Sequence, residues 1–134
     1  MNRRARRLLW SATTIYWVLI FIATHLPPRR VPKLRVGDKT EHFVGYAILA
    51  SLLMLVLPMR LSIRMVAVVL ICAIYGAFDE WTQPIMGRTT DVRDWLADVG
   101  GAMSAVVLCW LIARLVSRSR WVATGRHLPL AESR

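Results

Sequence analysis

The sequence predicts an all-α, polytopic membrane protein: four transmembrane helices in a compact bundle. Three observations carry that reading. Apolar residues make up 56% of the 134, the mean hydropathy is +0.45, and the apolar residues gather into four long runs. An ordinary soluble domain holds about 45–50% apolar residues. A bilayer core about 30 Å thick asks for roughly 20 apolar residues per helix, with a usable range of about 17 to 25. The expected spans are residues 8–26, 42–58, 61–78 and 95–116, within one domain covering 1–134.

The first run follows Arg3, Arg4, Arg6 and Arg7, as the apolar stretch of a secretory signal peptide would. Its end reads Ala23, Thr24, His25, Leu26, Pro27, and large residues with proline make a poor cleavage site, so a retained span is expected. The second run is ended by Pro58, which cannot continue a helix. Only Met59 and Arg60 separate it from the third, so these two helices form a tight antiparallel hairpin. The fourth starts after Thr89 or Thr90, residue types suited to capping a helix N-terminus. A basic tail, 117–134, follows it.

Four spans place both termini on one side. Eleven basic residues, Arg3, Arg4, Arg6, Arg7, Arg60, Arg64 and the five C-terminal arginines from Arg114 onward, fall on that side, against seven, Arg29, Arg30, Lys33, Arg35, Lys39, Arg88 and Arg93, on the other. Seven of the 8 acids fall on the other: Asp38, Glu41, Asp79, Glu80, Asp91, Asp94 and Asp98. Basic residues mark the cytoplasmic side of a membrane protein, so both termini are expected in the cytoplasm of a bacterial inner membrane. The net charge of +10 is then a topology signal and an attraction to anionic lipid, worth about 1 kcal/mol per basic residue near the surface. Nucleic acid is not expected as a partner, because the basic residues lack a recognition fold. Cys72 and Cys109 both sit inside apolar runs, which offers neither a disulfide framework nor a thiolate zinc site.

The polar residues inside the runs carry the functional signal. Asp38, His42 and Tyr46 recur every four residues and share a face if the second helix starts that early. Glu80 and Gln83 lie one turn apart at the end of the third helix. Adjacent carboxylates there oppose the helix dipole and call for a partner, with Arg88 the nearest cation. Asp91 and Asp94 suit the first turn of the fourth helix, whereas Asp98 lies roughly 10 Å farther along, where a carboxylate in lipid costs a few kcal/mol. Asp98 therefore faces the bundle interior or a watery cleft. Gly101, Ala102 and Ala105 continue its side, the smoothest face for close helix contact.

Asp38-Lys39, His42-Phe43 and Tyr46, Tyr75-Gly76, Glu80 with Gln83, Gly87-Arg88, and Asp94 with Asp98 and Gly101 resemble, in order and spacing, the VanZ-like family of small bacterial membrane proteins. The likeness covers about residues 38–108, and the first span fits in type only. It implies a multi-span inner-membrane protein, in a family whose founding member is associated with resistance to the glycopeptide teicoplanin. The family's shared polar positions carry over to Asp38, Lys39, His42, Tyr46, Glu80, Gln83, Arg88, Asp94 and Asp98. Many relatives have Asn where this chain has Asp98, a departure that favours hydrogen bonding over an obligatory charge there.

The preferred expectation is a binding protein whose outward-facing polar cleft takes a group of an envelope lipid, a cell-wall precursor or a glycopeptide. Lys39 and Arg88 would pair with an anion, while Glu80, Asp94, Asp98, Gln83 and Tyr46 would bond hydroxyls or amines. The alternative is a membrane-embedded hydrolase or transferase acting on a lipid headgroup, with His42 beside Asp38 as base and Glu80 or Asp98 as acid. No serine or cysteine nucleophile sits among these polar residues. Carboxylates with one His also suit a hard or borderline divalent cation, although the sequence assigns no ligand set and no cofactor. A third expectation is a structural polar seam joining this chain to a second copy or to another membrane protein.

Overall fold

The computed structural model describes residues 2–26 and 37–124. Four helices make up nearly all of it: α1 (Arg3–His25), α2 (Asp38–Val56), α3 (Leu61–Thr82) and α4 (Val92–Thr124), with a 3-10 turn at Gln83–Met86. Each of the four is long and apolar enough to cross a membrane. The connection 27–36, with Arg29, Arg30, Lys33 and Arg35, and the end of the tail, with Arg126, Glu132 and Arg134, lie outside the described residues.

Every helix reaches beyond its expected apolar run, and local chemistry explains each extension. Asn2 Oδ1 accepts from the Ala5 amide at 2.7 Å, which caps α1 ahead of the arginines. Asp38 and Glu41 fill the first turn of α2, where the helix dipole favours acids. Leu57, held extended before Pro58, ends that helix. Arg64 then donates to the Met54 carbonyl (2.7 Å), one the ending helix leaves unsatisfied, and to the Met59 carbonyl of the connection (2.9 Å). α3 continues past Phe78 through Asp79 and Glu80 into the 3-10 turn, and the chain reverses at Gly87, whose φ is 76°.

The cap of α4 differs from the expected one. Asp91 fills that position, its Oδ1 accepting from the Arg93 amide at 2.8 Å. The Thr90 hydroxyl instead donates to the Glu80 carbonyl at 3.0 Å. α4 also runs on through Thr124, so the expected tail begins as helix.

α2 is the central element and packs most extensively against α4. Gly101 makes that approach possible: a Cβ there would fall on the carbonyl of Phe43. Ala102, Ala105 and Val106 bury beside Tyr46, Leu49, Ala50 and Leu53 of α2 and Val68 and Cys72 of α3. Two side-chain bonds to backbone pin the outer helices. The Trp95 indole donates to the Ala73 carbonyl (2.9 Å), and the Tyr16 hydroxyl donates to the Gly45 carbonyl (3.0 Å). The remaining apolar side chains, among them Ile15, Leu19, Ile63, Leu70, Ile74, Leu108 and Leu115, point outward, as lipid-facing residues must.

Candidate functional site

The up-and-down order brings the C-terminal ends of α1 and α3 and the N-terminal ends of α2 and α4 to one end of the bundle. There the polar residues that an apolar sequence should not carry meet in three groups.

The deepest is a pair. The His42 ring donates through Nδ1 to Asp98 Oδ1 at 2.9 Å, and both residues are buried. Because a carboxylate only accepts, this bond places a hydrogen on Nδ1, and in the neutral ring the lone pair is then on Nε2. The second oxygen, Asp98 Oδ2, has no partner among the described residues. It packs against Gly76, where a Cβ would come within 2.9 Å of it. Below lie Tyr46 and Tyr75, with ring centroids 5.8 Å apart and both hydroxyls without a described partner.

Above the pair is a rim of opposite charges. Lys39 donates to Asp94 Oδ1 (2.9 Å) and Asp91 Oδ2 (3.0 Å), bridging α2 to the start of α4. Arg88 Nη2 sits 3.6 Å from Asp38 Oδ1. Asp38, Lys39 and Asp91 are each about half exposed, whereas Asp94 is buried. The Arg93 amide, and after it the Lys39 ammonium, hold the Asp91 carboxyl below the usual carboxylate range. Asp38, His42 and Asp94 each offer a ligand atom, and those atoms lie within 4.8 Å of one another.

The third group clasps helices. Glu80 Oε2 accepts from the Asp91 amide (2.9 Å) and Oε1 from the Gln83 amide group (3.1 Å), which anchors the turn before α4 onto α3. Asp79, fully buried, accepts from the Thr24 hydroxyl at 2.8 Å, with Gln83 Nε2 at 3.3 Å and the His25 ring at 3.5 Å. His25 Nε2 meets the Thr82 hydroxyl at 2.8 Å, so α1 closes the site from the side.

The structure thus brings the sequence-predicted residues to one end and reassigns several of them. Arg88 pairs with Asp38 of α2 rather than with Asp79 or Glu80. Tyr46 is wholly buried under the His42–Asp98 pair and reaches no rim. Asp98 bonds to His42 within its own chain and is fully buried there. Asp79, Thr24, His25, Thr82 and Asp91 join the cluster without having been named as site residues. Asp79 gave a signal as a second carboxylate at a helix end that disfavours acids, and Asp91 as a first-turn acid of the fourth helix.

A membrane-embedded bundle with four spanning-capable helices and a charged, internally paired cluster at one end defines a small multi-pass membrane protein. The VanZ/LLP1 family model matches residues 5–113, and the chain belongs to that family. The match takes in the first span as well, which the motif likeness over 38–108 had left aside. No curated protein and no solved structure matches the chain.

Proposed function

We propose that this protein is a binding protein of the bacterial inner membrane. Its polar end faces outward, both termini are cytoplasmic, and the cleft takes the polar group of an envelope lipid, a cell-wall precursor or a glycopeptide. One observation carries the reading: a partly exposed rim of both signs stands over a buried His42–Asp98 floor, with helix ends around it. Lys39 and Arg88 already hold acids of the same chain, so an incoming anion exchanges partners with Asp91, Asp94 and Asp38 instead of meeting free cations. Hydroxyls and amines find acceptors in the same carboxylates. The exposed Trp81, Ile85 and Met86 beside the turn suit an acyl-chain neighbour.

Glu80 and Asp98 support the scaffold, so the test uses the rim. Native mass spectrometry compares the wild type with a Lys39→Ala, Arg88→Ala double variant, each checked for folding by thermal melting. A retained lipid or precursor mass in the wild type, lost in the variant, supports the cleft. Identical spectra from two folded proteins, together with unchanged glycopeptide susceptibility of the host, remove it.

The His42–Asp98 pair favours one second reading, a hydrolase or transferase acting on a lipid headgroup. In that case Asp98 orients His42 as a general base, rather than serving as the acid itself. Turnover of a labelled lipid, abolished in a His42→Gln variant that still binds it, would select this reading.

A further inference from the structure

We propose that Asp38, His42 and Asp94 form a site for one divalent cation of hard-to-borderline character, in the class of Mn2+ and Zn2+. The ligand atoms of these three residues lie within 4.8 Å of one another, close to the span across one ion, and the exposed Asp38 carboxylate can move in to close the rest. The donor set, two carboxylates and one imidazole, matches the oxygen-plus-nitrogen preference of such ions.

The second support is the buried imidazole. His42 is only 6% exposed, its Nδ1 is committed to Asp98, and its Nε2 makes no hydrogen bond to a described residue. Metal-binding histidines commonly donate their other ring N–H to a carboxylate, which fixes the tautomer and raises the basicity of the coordinating nitrogen. Asp98 supplies that arrangement here without being a ligand itself.

Charge balance agrees. The carboxylates Asp38, Asp91, Asp94 and Asp98 outnumber Lys39 and Arg88 by two among the residues placed around the rim and floor. The ion would compete with Lys39 for Asp94 and with Arg88 for Asp38. Lys39 is half exposed and can withdraw, keeping Asp91 as its partner. The ion would then free Arg88 and leave Lys39 with Asp91 alone, so that both can turn toward an anionic group. This step deepens the proposed cleft by making anion binding depend on the metal, and it rests on that reading only for the anion.

Protein purified in detergent and stripped with chelator is titrated with Mn2+, followed by the electron paramagnetic resonance of the free ion, and with Zn2+ by calorimetry. One saturable ion per chain is expected. Asp38→Asn and Asp94→Asn should each weaken it roughly tenfold or more, because they remove a charged ligand. Lys39→Ala, which removes the competing ammonium, should tighten it. Asp38 is exposed, so its variant remains informative even if Asp94→Asn fails to fold. A folded wild type without saturable binding, or Asp38→Asn binding as the wild type does, overturns the site. The titration contains no lipid: ion binding without retained lipid removes the cleft alone, and retained lipid without ion binding removes the metal alone.

Discussion

Asp98 separates the value of a charge from that of a hydrogen-bond acceptor. Its Oδ1 takes the His42 N–H at 2.9 Å, and an asparagine keeps a carbonyl oxygen for that role. Asp98→Asn should therefore fold with a loss of about 1 kcal/mol or less, whereas Asp98→Leu leaves a buried imidazole N–H unpaired and should cost about 1–3 kcal/mol. Thermal melting in detergent reads both, and a leucine variant that melts with the wild type would show that the bond contributes nothing to stability. The same reasoning applies to Thr24→Val, which deprives the buried Asp79 carboxylate of its 2.8 Å donor and should lower stability by about 1–3 kcal/mol in the same assay. Asp98 was legible in the sequence because a carboxylate so far inside an apolar helix demands a reason. The Thr24–Asp79 contact was not, since it joins residues 55 positions apart and a threonine near the end of a span looks like an ordinary interfacial residue.

Helix contacts turn on two adjacent glycines with opposite expectations. A Cβ at Gly101 would meet the backbone of Phe43, which cannot rotate away, so Gly101→Ala must push α2 and α4 apart. Overpacking of that kind costs about 1–3 kcal/mol. At Gly100 the nearest atom is the Phe43 ring at 3.7 Å, an ordinary contact, so Gly100→Ala should stabilise by about 0.5–1 kcal/mol through helix propensity alone. The two melting temperatures should move in opposite directions, and a shared direction would contradict the packing of α2 on α4. The small-residue face of Gly101, Ala102 and Ala105 was readable from spacing, as were the four helices and their order. The polar residues also marked the opening of α2 at Asp38 and the close of α3 near Gln83, but the apolar runs alone fell short of both ends. Hydropathy reports the lipid-facing length, while Asp38, Asp79 and Glu80 extend α2 and α3 as polar turns whose partners come from other helices. Thr90 looked like the cap of α4, but its hydroxyl found the Glu80 carbonyl and left the cap to Asp91.

Among the described residues of the whole molecule, the acids are sorted to one end and most of the arginines to the other. Arg3, Arg4, Arg6, Arg7, Arg60, Arg64, Arg114 and Arg118 belong to the end where α1 begins and α4 leaves, with Arg114 lying over the Trp110 ring at 4.8 Å. The acids from Asp38 to Asp98 gather at the other end, where Lys39, Arg88 and hydrogen-bond donors hold them in part. In the proposed orientation, which follows the positive-inside bias, the arginine end is cytoplasmic and the polar cleft faces outward. That orientation decides which ligands can reach the site, so it is the prediction with the widest consequence. In a chain with Cys72→Ala and Cys109→Ala, a cysteine placed by Thr89→Cys in the exposed turn before α4 should react with a membrane-impermeant maleimide on intact cells. Ser62→Cys, exposed at the start of α3, should react only after permeabilisation. The reverse pattern would turn the Lys39, Arg88 and Asp38 rim toward the cytoplasm. The cleft would then meet inner-leaflet headgroups and cytoplasmic anions, and a glycopeptide outside the cell could not be its ligand.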